Sequence, residues 1–314
     1  MRAAVIFGPG SSISDLKPFQ KNSAATWLTG LPADPNAADA ILIFGGDGTV
    51  HRHLAELVKL RLPVLVVPCG SGNDFAHALN LHRVRDSLAV WRRFSSGGEN
   101  VRNIDLGVIS PLVADRLIAD RLVTDGPITD GLFAGKVAAP PEHYFCCVGG
   151  VGLDGDIARR ANRLPRWLRA HGGYALSFLP ALMRFAPVAM KISMPGAEDR
   201  AALAARSAQP VVVAAFANGP AYGSGMQIAP HAKLDDGVLD VCIIPSMNKL
   251  KLFCLFPTIY FGRHLRIRQV KYFQTKRLAI ETDEPLDVYA DGEYVCRTPI
   301  EVRVARAALR LITA

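Results

Sequence analysis

Several signatures of common enzyme and binding classes are missing from this sequence of 314 residues. It has no GxxxxGK[ST] phosphate loop and no GxGxxG dinucleotide fingerprint, which argues against both of those nucleotide-binding classes. None of its six cysteines forms a CxxC pair, so neither a zinc site nor a redox motif is indicated. No uninterrupted apolar run reaches about twenty residues, and we expect no membrane-spanning helix. Motifs that read nucleic acid are also missing, so nucleic acid is not an expected partner.

The composition that is present favours an anionic partner and a reducing compartment. The net charge is +8, which suits a nucleotide or an anionic lipid surface better than it suits a neutral ligand. Most cysteines lie in apolar, strand-like runs, as expected of reduced, buried thiols in a cytoplasm. The N-terminal run Met1–Phe7 predicts a first strand and is too short for a signal peptide. We therefore expect a cytoplasmic location.

A glycine-rich loop follows the apolar run 40–44, which predicts a buried strand. The loop contains Gly45, Gly46, Asp47, Gly48 and Thr49. Glycines allow backbone N–H groups to face an anion without a Cβ in the way, and a helix beginning near residue 51 would point its positive end at the same place. Taken alone, this pattern fits a phosphate loop and a plain connection equally well.

A second strand and loop of the same kind occur one βαβ repeat later. The apolar run 62–68 leads into a loop that contains Gly70, Ser71, Gly72, Asn73 and Asp74. Asn73 and Asp74 can cap a helix that begins near residue 75. In a parallel sheet both loops emerge at the same edge, so together they predict a nucleotide phosphate site.

The two loops, with four later segments, resemble the diacylglycerol kinase catalytic domain family of lipid kinases. Those segments are Gly152–Asp154, Asn218–Pro230, Lys233–Asp240 and Ala290–Glu293, and they occur in the family's order. The resemblance spans residues 41 to 293 and implies ATP and Mg²⁺ as cofactors. The first loop departs from the family, because the segment that contains Gly8, Gly10 and Ser11 is glycine-rich and lacks the usual asparagine. We include these three residues among the nucleotide-binding candidates.

The order of predicted elements indicates an α/β protein in two parts. Strands alternate with helices in residues 1–108, which predicts an N-terminal doubly wound α/β nucleotide-binding domain. Short strands dominate residues 109–304, which predicts a C-terminal antiparallel β-sandwich domain that takes the lipid substrate. Residues 109–141 are interpreted as an insertion, and the tail 305–314 is expected to pack back on the first domain. The resemblance implies that the nucleotide binds between the two domains.

The catalytic candidates are Asp47, Asp291 and Glu293. Asp47 and Asp74 can organise Mg²⁺ beside the phosphates, because that ion uses few carboxylates and keeps several waters. The resemblance places the acceptor of the hydroxyl proton in Asp291-Gly292-Glu293. A type I′ hairpin turn explains the same residues without any chemistry. Asp291 and Glu293 both remain candidates for the base, with a preference for Glu293.

Two further sites come from the resemblance alone. Asp154 is a candidate for contacting the lipid headgroup. A structural Mg²⁺ site is implied at Asp236, with the carbonyl groups of Lys233 and Val238 as further ligands. An ordinary Asp-Asp-Gly turn explains the second segment equally well.

Two apolar segments, residues 173–185 and 250–261, have the length of helices and lie beside basic residues. They could line a pocket for acyl chains, lie on a membrane interface, or simply pack on the sandwich. A basic cluster follows the second segment and favours an anionic membrane surface, although a solvated charged face is the competing interpretation. Its members are Arg263, Arg266, Arg268, Lys271, Lys276 and Arg277.

The sequence as a whole predicts an ATP-dependent, Mg²⁺-requiring kinase that phosphorylates a hydroxyl of a membrane lipid such as diacylglycerol. We expect peripheral association with the inner face of the membrane. The oligomeric state is open, with a homodimer as one option. One alternative is a kinase for a soluble substrate, because NAD kinases share the GGDGT loop. The other is a nucleotide- or lipid-binding regulator without turnover.

Overall fold

A computed structural model describes residues 1–112, 141–165, 168, 173–194 and 210–313. In the first part of the chain the elements are β1 (Arg2–Phe7), α1 (Ile13–Gln20), β2 (Thr26–Thr29), β3 (Ala40–Gly45), α2 (Asp47–Leu60), β4 (Val64–Pro68), α3 (Asp74–Ala78) and α4 (Val84–Ser95). In the remainder they are β5 (Val101–Pro111), β6 (His143–Phe145), β7 (Val148–Gly152), α5 (Leu153–Asn162), α6 (Gly173–Arg184), β8 (Val188–Ser193), β9 (Pro210–Ala217), β10 (Leu239–Pro245), α7 (Lys249–Ile259), a 3₁₀ turn (Arg263–Arg266), β11 (Lys271–Thr275), β12 (Arg277–Thr282), β13 (Asp287–Ala290), β14 (Glu293–Arg297) and β15 (Ile300–Ile312).

The first part is a parallel sheet in the order β2-β1-β3-β4. Its central strand β3 is apolar and buried at every residue, as a strand covered on both faces requires. The strand order reverses between β1 and β3, so the loops that follow these two strands diverge. Ligands of open α/β sheets bind in the crevice formed at such a reversal.

The second part is a sandwich of two antiparallel sheets. One sheet has the order β6-β5-β15-β12-β8, and the other has the order β11-β10-β9-β7-β13-β14. Ile280 and Val302 of the first sheet share a buried core with Val241 of the second. Phe145 and Phe216 close this core edge to face, with ring centroids 5.6 Å apart.

The last strand, β15, joins the two parts. It pairs along its length with β5, and its end lies parallel to β4, where Leu311 is opposite Val64. Both the mixed α/β class and the pairing of a wound sheet with a sandwich are therefore as predicted. The division near residue 108 stays a prediction. Most of the predicted insertion at 109–141 lies outside the described residues, although β5 continues to Pro111.

Within the described ranges, no helix is both long enough and apolar enough to cross a bilayer. The six cysteines are free thiols, in agreement with the expected absence of disulfides. Cys146, Cys147 and Cys242 are buried, whereas Cys254 is exposed on α7, which the expectation of buried thiols did not anticipate.

Candidate functional site

The two predicted loops lie side by side at the carboxyl edge of the parallel sheet. The N–H of Cys69 donates to the carbonyl of Gly45 (3.1 Å), and the N–H of Asp47 donates to the carbonyl of Gly72 (3.1 Å). The first contact continues the pairing of β3 with β4, and the second joins the loops themselves. The loops therefore form one hydrogen-bonded unit.

Gly46 and Gly70 are required by this contact between the loops. A Cβ on Gly46 would lie 2.3 Å from the carbonyl oxygen of Gly72, and a Cβ on Gly70 would lie 2.3 Å from the Cα of Gly46. Both are contacts with backbone atoms, which cannot rotate away. The sequence interpretation attributed these glycines to the close approach of an anion, whereas the structure shows that the loops need them in order to pack together.

The threonine of the first loop is packed against two other glycines. A Cβ on Gly8 would lie 2.2 Å from Oγ1 of Thr49, and a Cβ on Gly45 would lie 2.6 Å from the same atom. The Ser11 hydroxyl lies within hydrogen-bond distance of the carbonyl oxygens of Gly8 (2.8 Å) and Phe44 (2.7 Å) and can donate to either. Gly8, Gly45 and Ser11 thus support the loops from behind.

The second loop is held in shape by Asn73. Its side-chain amide donates to the carbonyl of Gly70 (2.9 Å), and its Oδ1 accepts from the N–H of Gly70 (3.1 Å). This closed pair of hydrogen bonds fixes the turn that precedes α3. The Asn73 side chain therefore fixes the shape of the second glycine loop.

Asp47 connects the first loop to α3. Its two carboxylate oxygens accept from the N–H groups of Asp74 and Phe75, both at 3.0 Å. The positive end of a helix favours a carboxylate, yet burial and the negative charge of Asp74 raise the pKa of Asp47 above its usual value. The pKa of Asp74 is also raised, chiefly by burial, although its Oδ2 accepts from the N–H of Ser224 (2.9 Å). Two such carboxylates form an oxygen donor set that a divalent cation would stabilise.

The acidic hairpin predicted at residues 290–293 faces these loops. Asp291 and Gly292 both have positive φ, at 49° and 82°, and they form the two-residue connection between β13 and β14. This is the backbone of a type I′ turn. The hairpin interpretation is therefore confirmed, and the catalytic role of the same residues stays a prediction.

The two acidic residues of this hairpin have different surroundings. The Asp291 carboxylate is almost fully buried and accepts from the N–H of Cys146 (2.8 Å) and of Cys147 (2.9 Å). It is also 3.2 Å from Nδ1 of His51, a residue of α2. Glu293 makes none of these contacts and is exposed, but its Oε1 would lie 2.4 Å from a Cβ on Gly48. The Asp291 carboxylate is thus occupied by hydrogen bonds within the protein, whereas the Glu293 carboxylate is exposed beside the first glycine loop.

His51 is a part of the site that sequence reasoning missed. Burial lowers the pKa of its ring, but the hydrogen bond to Asp291 and the negative charges of Asp291 and Glu293 outweigh burial and raise the pKa. A single histidine on a helix gives no signal in one sequence, because its partner lies 240 residues away. The amide of Asn162, which donates to the carbonyl of Gly292 (2.7 Å), was missed for the same reason.

The loops and the hairpin enclose a cleft of about 550 Å³. Nine of the thirteen nucleotide-binding candidates line it: Gly10, Gly46, Asp47, Gly48, Thr49, Gly70, Ser71, Gly72 and Asp74. Asp291 and Glu293 line it as well, whereas Gly8, Ser11, Gly45 and Asn73 do not. Arg52 is the basic residue of the lining in the described part of the chain, and its guanidinium donates to the carbonyl of Gly48 (2.9 Å).

An apolar pocket lies beside this cleft, between α5, α6, α7 and the sandwich. Its lining is Leu153, Asp154, Ile157, Tyr174, Phe178, Val212, Val213, Tyr222, Met226, Ile228, Ile244, Leu252, Leu255, Phe256 and Ile259. Tyr174 and Tyr222 line the cleft also, so the two spaces are adjacent. The free volume of the pocket is only about 30 Å³, which means that its walls are nearly closed on each other.

Asp154 is the one carboxyl group in the wall of that pocket among the described residues. Its Oδ1 accepts from the N–H of Gly155 (2.9 Å), and burial raises its pKa to about 7. Burial favours the protonated form, and a protonated carboxyl group can both donate and accept hydrogen bonds.

The predicted structural metal site lies away from the cleft. Asp236 is exposed, and its Oδ1 accepts from the N–H of Val238 (3.2 Å), while Lys233 is exposed nearby. The adjacent Gly237 is held by the buried Asp105, which accepts from its N–H at 2.7 Å. The turn is thus well defined by protein contacts, and a role for Asp236 with Mg²⁺ stays a prediction.

Comparison with known proteins supports the resemblance. The family model "Diacylglycerol kinase catalytic domain" matches residues 14–109, and "YegS C-terminal NAD kinase beta sandwich-like domain" matches residues 148–313. A diacylglycerol kinase from Mycobacterium tuberculosis is 30% identical over 274 residues, which cover 87% of this chain and 76% of that protein. A YegS-like lipid kinase from Chromohalobacter salexigens is 23% identical over 258 residues, which cover 81% and 69%.

A solved structure is similar over the whole length of the chain. The crystal structure of a diacylglycerol kinase from Bacillus anthracis aligns with a TM-score of 0.63 at 18% identity and covers 100% of this chain and 97% of that one. At this identity the likeness shows a common fold. With both family models matching in the order of the two observed parts, the chain belongs to the diacylglycerol kinase family of lipid kinases.

Proposed function

We propose that this protein is an ATP-dependent, Mg²⁺-requiring lipid kinase, which transfers the γ-phosphoryl group to a hydroxyl of a membrane lipid such as diacylglycerol. The observation that carries the proposal is a single arrangement. Two joined glycine loops face an acidic hairpin across one cleft, and an apolar pocket adjoins that cleft. A phosphate donor, a carboxylate that accepts a proton, and an apolar lipid substrate can come together there.

The phosphates of ATP would lie against the glycine loops at the beginning of α2. The Gly46–Gly70 contact fixes the two loops relative to each other, so their N–H groups are organised before ATP binds. Such preorganised donors stabilise charge on a transferring phosphoryl group. Asp47 and Asp74 would hold Mg²⁺, which supplies positive charge at the phosphates when it is bound.

Glu293 would accept the proton of the lipid hydroxyl. A general base needs an open carboxylate, and Glu293 is exposed in the cleft, whereas the Asp291 carboxylate is occupied by the N–H groups of Cys146 and Cys147 and by His51. Asp291 would act through the hairpin, because it ties the turn to the segment before β7. It is a positioning residue in this proposal.

The lipid would enter the apolar pocket with its hydroxyl toward the cleft. Asp154 could exchange hydrogen bonds with a polar group of the lipid near the two tyrosines that line both spaces. An acyl chain needs far more than 30 Å³, so α6 or α7 would have to move outward to admit it. The enzyme would therefore work while associated peripherally with the inner face of the membrane.

The test is a phosphorylation assay with labelled ATP and Mg²⁺. Diacylglycerol, phosphatidylglycerol, a sphingoid base, ceramide and NAD are offered separately, and the Glu293→Gln variant is run beside the wild type. We expect a labelled lipid, and a loss of about 10²- to 10⁴-fold in turnover for the variant, the usual range for losing a general base. Labelled NADP in place of labelled lipid would assign a soluble substrate. ATP binding with no product from any acceptor would indicate a regulator.

A further inference from the structure

The outer surface of α6 and α7 carries apolar side chains that are exposed to solvent. On α6 these are Leu176, Leu179 and Met183, which are exposed by 55%, 48% and 61%. Their spacing of three and four residues puts them on one face of the helix. On α7 the equivalent residues are Leu250 and Phe253, at 68% and 48%. Scattered exposed leucines are ordinary, but an apolar face on each of two neighbouring helices indicates an interaction surface.

The two apolar faces form one surface, because the helices are locked together. The ring of Phe178 on α6 stacks on that of Phe256 on α7 at 3.7 Å, and the Lys249 ammonium donates to the carbonyl of Met183 (2.6 Å). The second contact joins the end of α6 to the start of α7. Met183 and Leu250 are therefore near neighbours on the outside. We call this outer surface of α6 and α7, with Phe261 just beyond α7, the apolar face.

The charge around the apolar face has one sign. No aspartate or glutamate occurs between Asp240 and Glu281, nor in the described residues 173–194. Exposed cations stand instead along the two helices and the 3₁₀ turn: Arg184, Lys249, Lys251, Arg263, Arg266 and Arg268. The Arg263 guanidinium lies 5.8 Å above the ring of Phe261, which is 72% exposed. An apolar centre with a basic border complements an anionic lipid surface.

We propose that the apolar face of α6 and α7 inserts into the interface of an anionic bilayer. The inference deepens the proposed function, on which its biological sense rests, by naming the surface that meets the membrane. The inward side chains Phe178, Leu252 and Leu255 of the same helices line the apolar pocket. The pocket therefore lies one helix thickness from the bilayer. A lipid that leaves the membrane can reach it between α6 and α7.

The first experiment measures sedimentation of the full chain with vesicles, in the absence of ATP. Vesicles of phosphatidylcholine alone are compared with vesicles that contain about 30% phosphatidylglycerol. We expect binding to the anionic vesicles that weakens with salt. The double variant Leu176→Ser/Met183→Ser should bind at least about tenfold more weakly, since each half-exposed apolar side chain gives up part of its transfer free energy. The matched control is Ile13→Ser on α1, an isoleucine that is 66% exposed on the other part of the molecule.

The charge contribution is tested separately. Arg263→Gln/Arg266→Gln should weaken binding to anionic vesicles by about fivefold per charge and leave binding to neutral vesicles unchanged. Arg85→Gln on α4, also at an exposed arginine, should change neither. If Arg85→Gln weakened binding to anionic vesicles as much per charge as Arg263→Gln/Arg266→Gln does, the basic border would contribute only through the net charge of the protein.

The exposed Cys254 provides a direct reporter on α7, because the other five cysteines are buried or only partly accessible. An environment-sensitive fluorophore on Cys254 should shift to shorter wavelength with anionic vesicles and be quenched by bromines placed in the acyl chains. An unshifted emission in a sample that sediments with the vesicles would overturn the proposal, because another surface would then be bound. Self-association that depends on Leu176 and Met183, without vesicle binding, would assign the face to a second copy of the chain instead.

These outcomes are separable from failure of the kinase proposal. A short-chain diacylglycerol that dissolves as monomers is phosphorylated without any membrane if the kinase proposal holds. The Leu176→Ser/Met183→Ser variant should keep full activity on that soluble substrate and lose activity on long-chain diacylglycerol in vesicles. Equal activity of variant and wild type on the vesicles would refute the docking surface and leave the kinase proposal intact.

Discussion

Gly48→Ala offers a sharp test of the assignment of Glu293 as the base. A Cβ at residue 48 would lie 2.4 Å from Oε1 of Glu293, with its next contact at 3.5 Å, to Cδ of the same side chain. The atom that must move is the far end of a flexible side chain, and the backbone of the loop is left alone. Gly48 lies in the first turn of α2 without positive φ, so alanine is compatible with the fold and favours the helix.

The size of the effect follows from that distance. Ordinary contact with a carboxylate oxygen begins near 3.4 Å, so the Glu293 carboxylate has to retreat by about 1 Å. A misplacement of about 1 Å in a reacting group can cost on the order of 10²-fold in rate. We expect kcat of Gly48→Ala to fall by about that factor, while the affinity for ATP stays within about twofold, because the N–H groups of the loops remain in place.

A double-mutant cycle separates this mechanism from damage to the loop. Gly48→Ala, Glu293→Gln and the pair are compared by kcat on a soluble short-chain diacylglycerol and by ATP affinity from calorimetry. If Gly48→Ala acts by displacing Glu293, it has nothing further to remove once Glu293 is glutamine. The double variant should then be about as slow as Glu293→Gln alone.

Additive losses would refute the reasoning. A double variant slower than Glu293→Gln by the full effect of Gly48→Ala would mean that alanine disturbs the phosphates directly. An unchanged kcat in Gly48→Ala would mean that Glu293 does not work from the position that it occupies here. The thermal midpoint of each variant serves as the control for folding, and we expect Gly48→Ala to be no less stable than the wild type.

Three further predictions concern the same site. Asp47→Asn should lower turnover by about 10³-fold or more, because it removes charge beside the transferring phosphoryl group. Steady-state kinetics measures the loss, and an unchanged circular dichroism spectrum serves as the control for folding. Near-normal turnover would remove Asp47 from the mechanism. Gly46→Ala should destabilise the protein by about 1–3 kcal/mol in denaturant unfolding even without ATP, since its Cβ meets the Gly72 carbonyl rather than the ligand; a loss of ATP affinity at normal stability would contradict this. Asp154→Asn should stabilise the protein at pH 8 but not at pH 4. Burial raises the pKa of Asp154 from 3.8 to about 7, so the wild type loses stability as the pH rises between those values, by at most about 4 kcal/mol. Thermal melting of the wild type and of Asp154→Asn across this range checks the prediction. The same pH dependence of the melting temperature in both proteins would refute the argument.

Much of the fold could be predicted from local patterns. The strands before the two glycine loops are short apolar runs, and the structure has β3 over the predicted run 40–44 and Gly45, and β4 within the predicted run 62–68. β15 continues to Ile312, through the tail that was expected to pack back on the first domain, and this segment pairs with β5 and, at Leu311, with β4. Its strand conformation depends on partners that are distant in the sequence, which a local pattern does not identify.

The sequence predicted that the two glycine loops and the acidic turn lie around one cleft, and the structure places them there. The sequence did not predict the different surroundings of the two acidic residues of the turn. The choice between Asp291 and Glu293 was left open, because it depends on the N–H groups of Cys146 and Cys147, which lie about 145 residues earlier. The local sequence Asp291-Gly292-Glu293 does not indicate which of its two carboxylates another segment will bind.

The distribution of charge explains why a chain with a net charge of +8 can have an acidic centre. Asp47, Asp74, Asp291 and Glu293 all line the cleft, and burial and mutual repulsion raise the pKa of the first two. A nucleotide triphosphate on its own would be repelled by such a centre, so the proposed binding of ATP there would require a divalent cation as well as the glycine loops. The excess positive charge lies elsewhere, in part around the apolar face of α6 and α7. The sequence segments that form this face contain no aspartate or glutamate. If the proposed function holds, this separation of charge would allow a metal-bound phosphate donor to bind in the cleft while an anionic membrane surface is attracted to the apolar face.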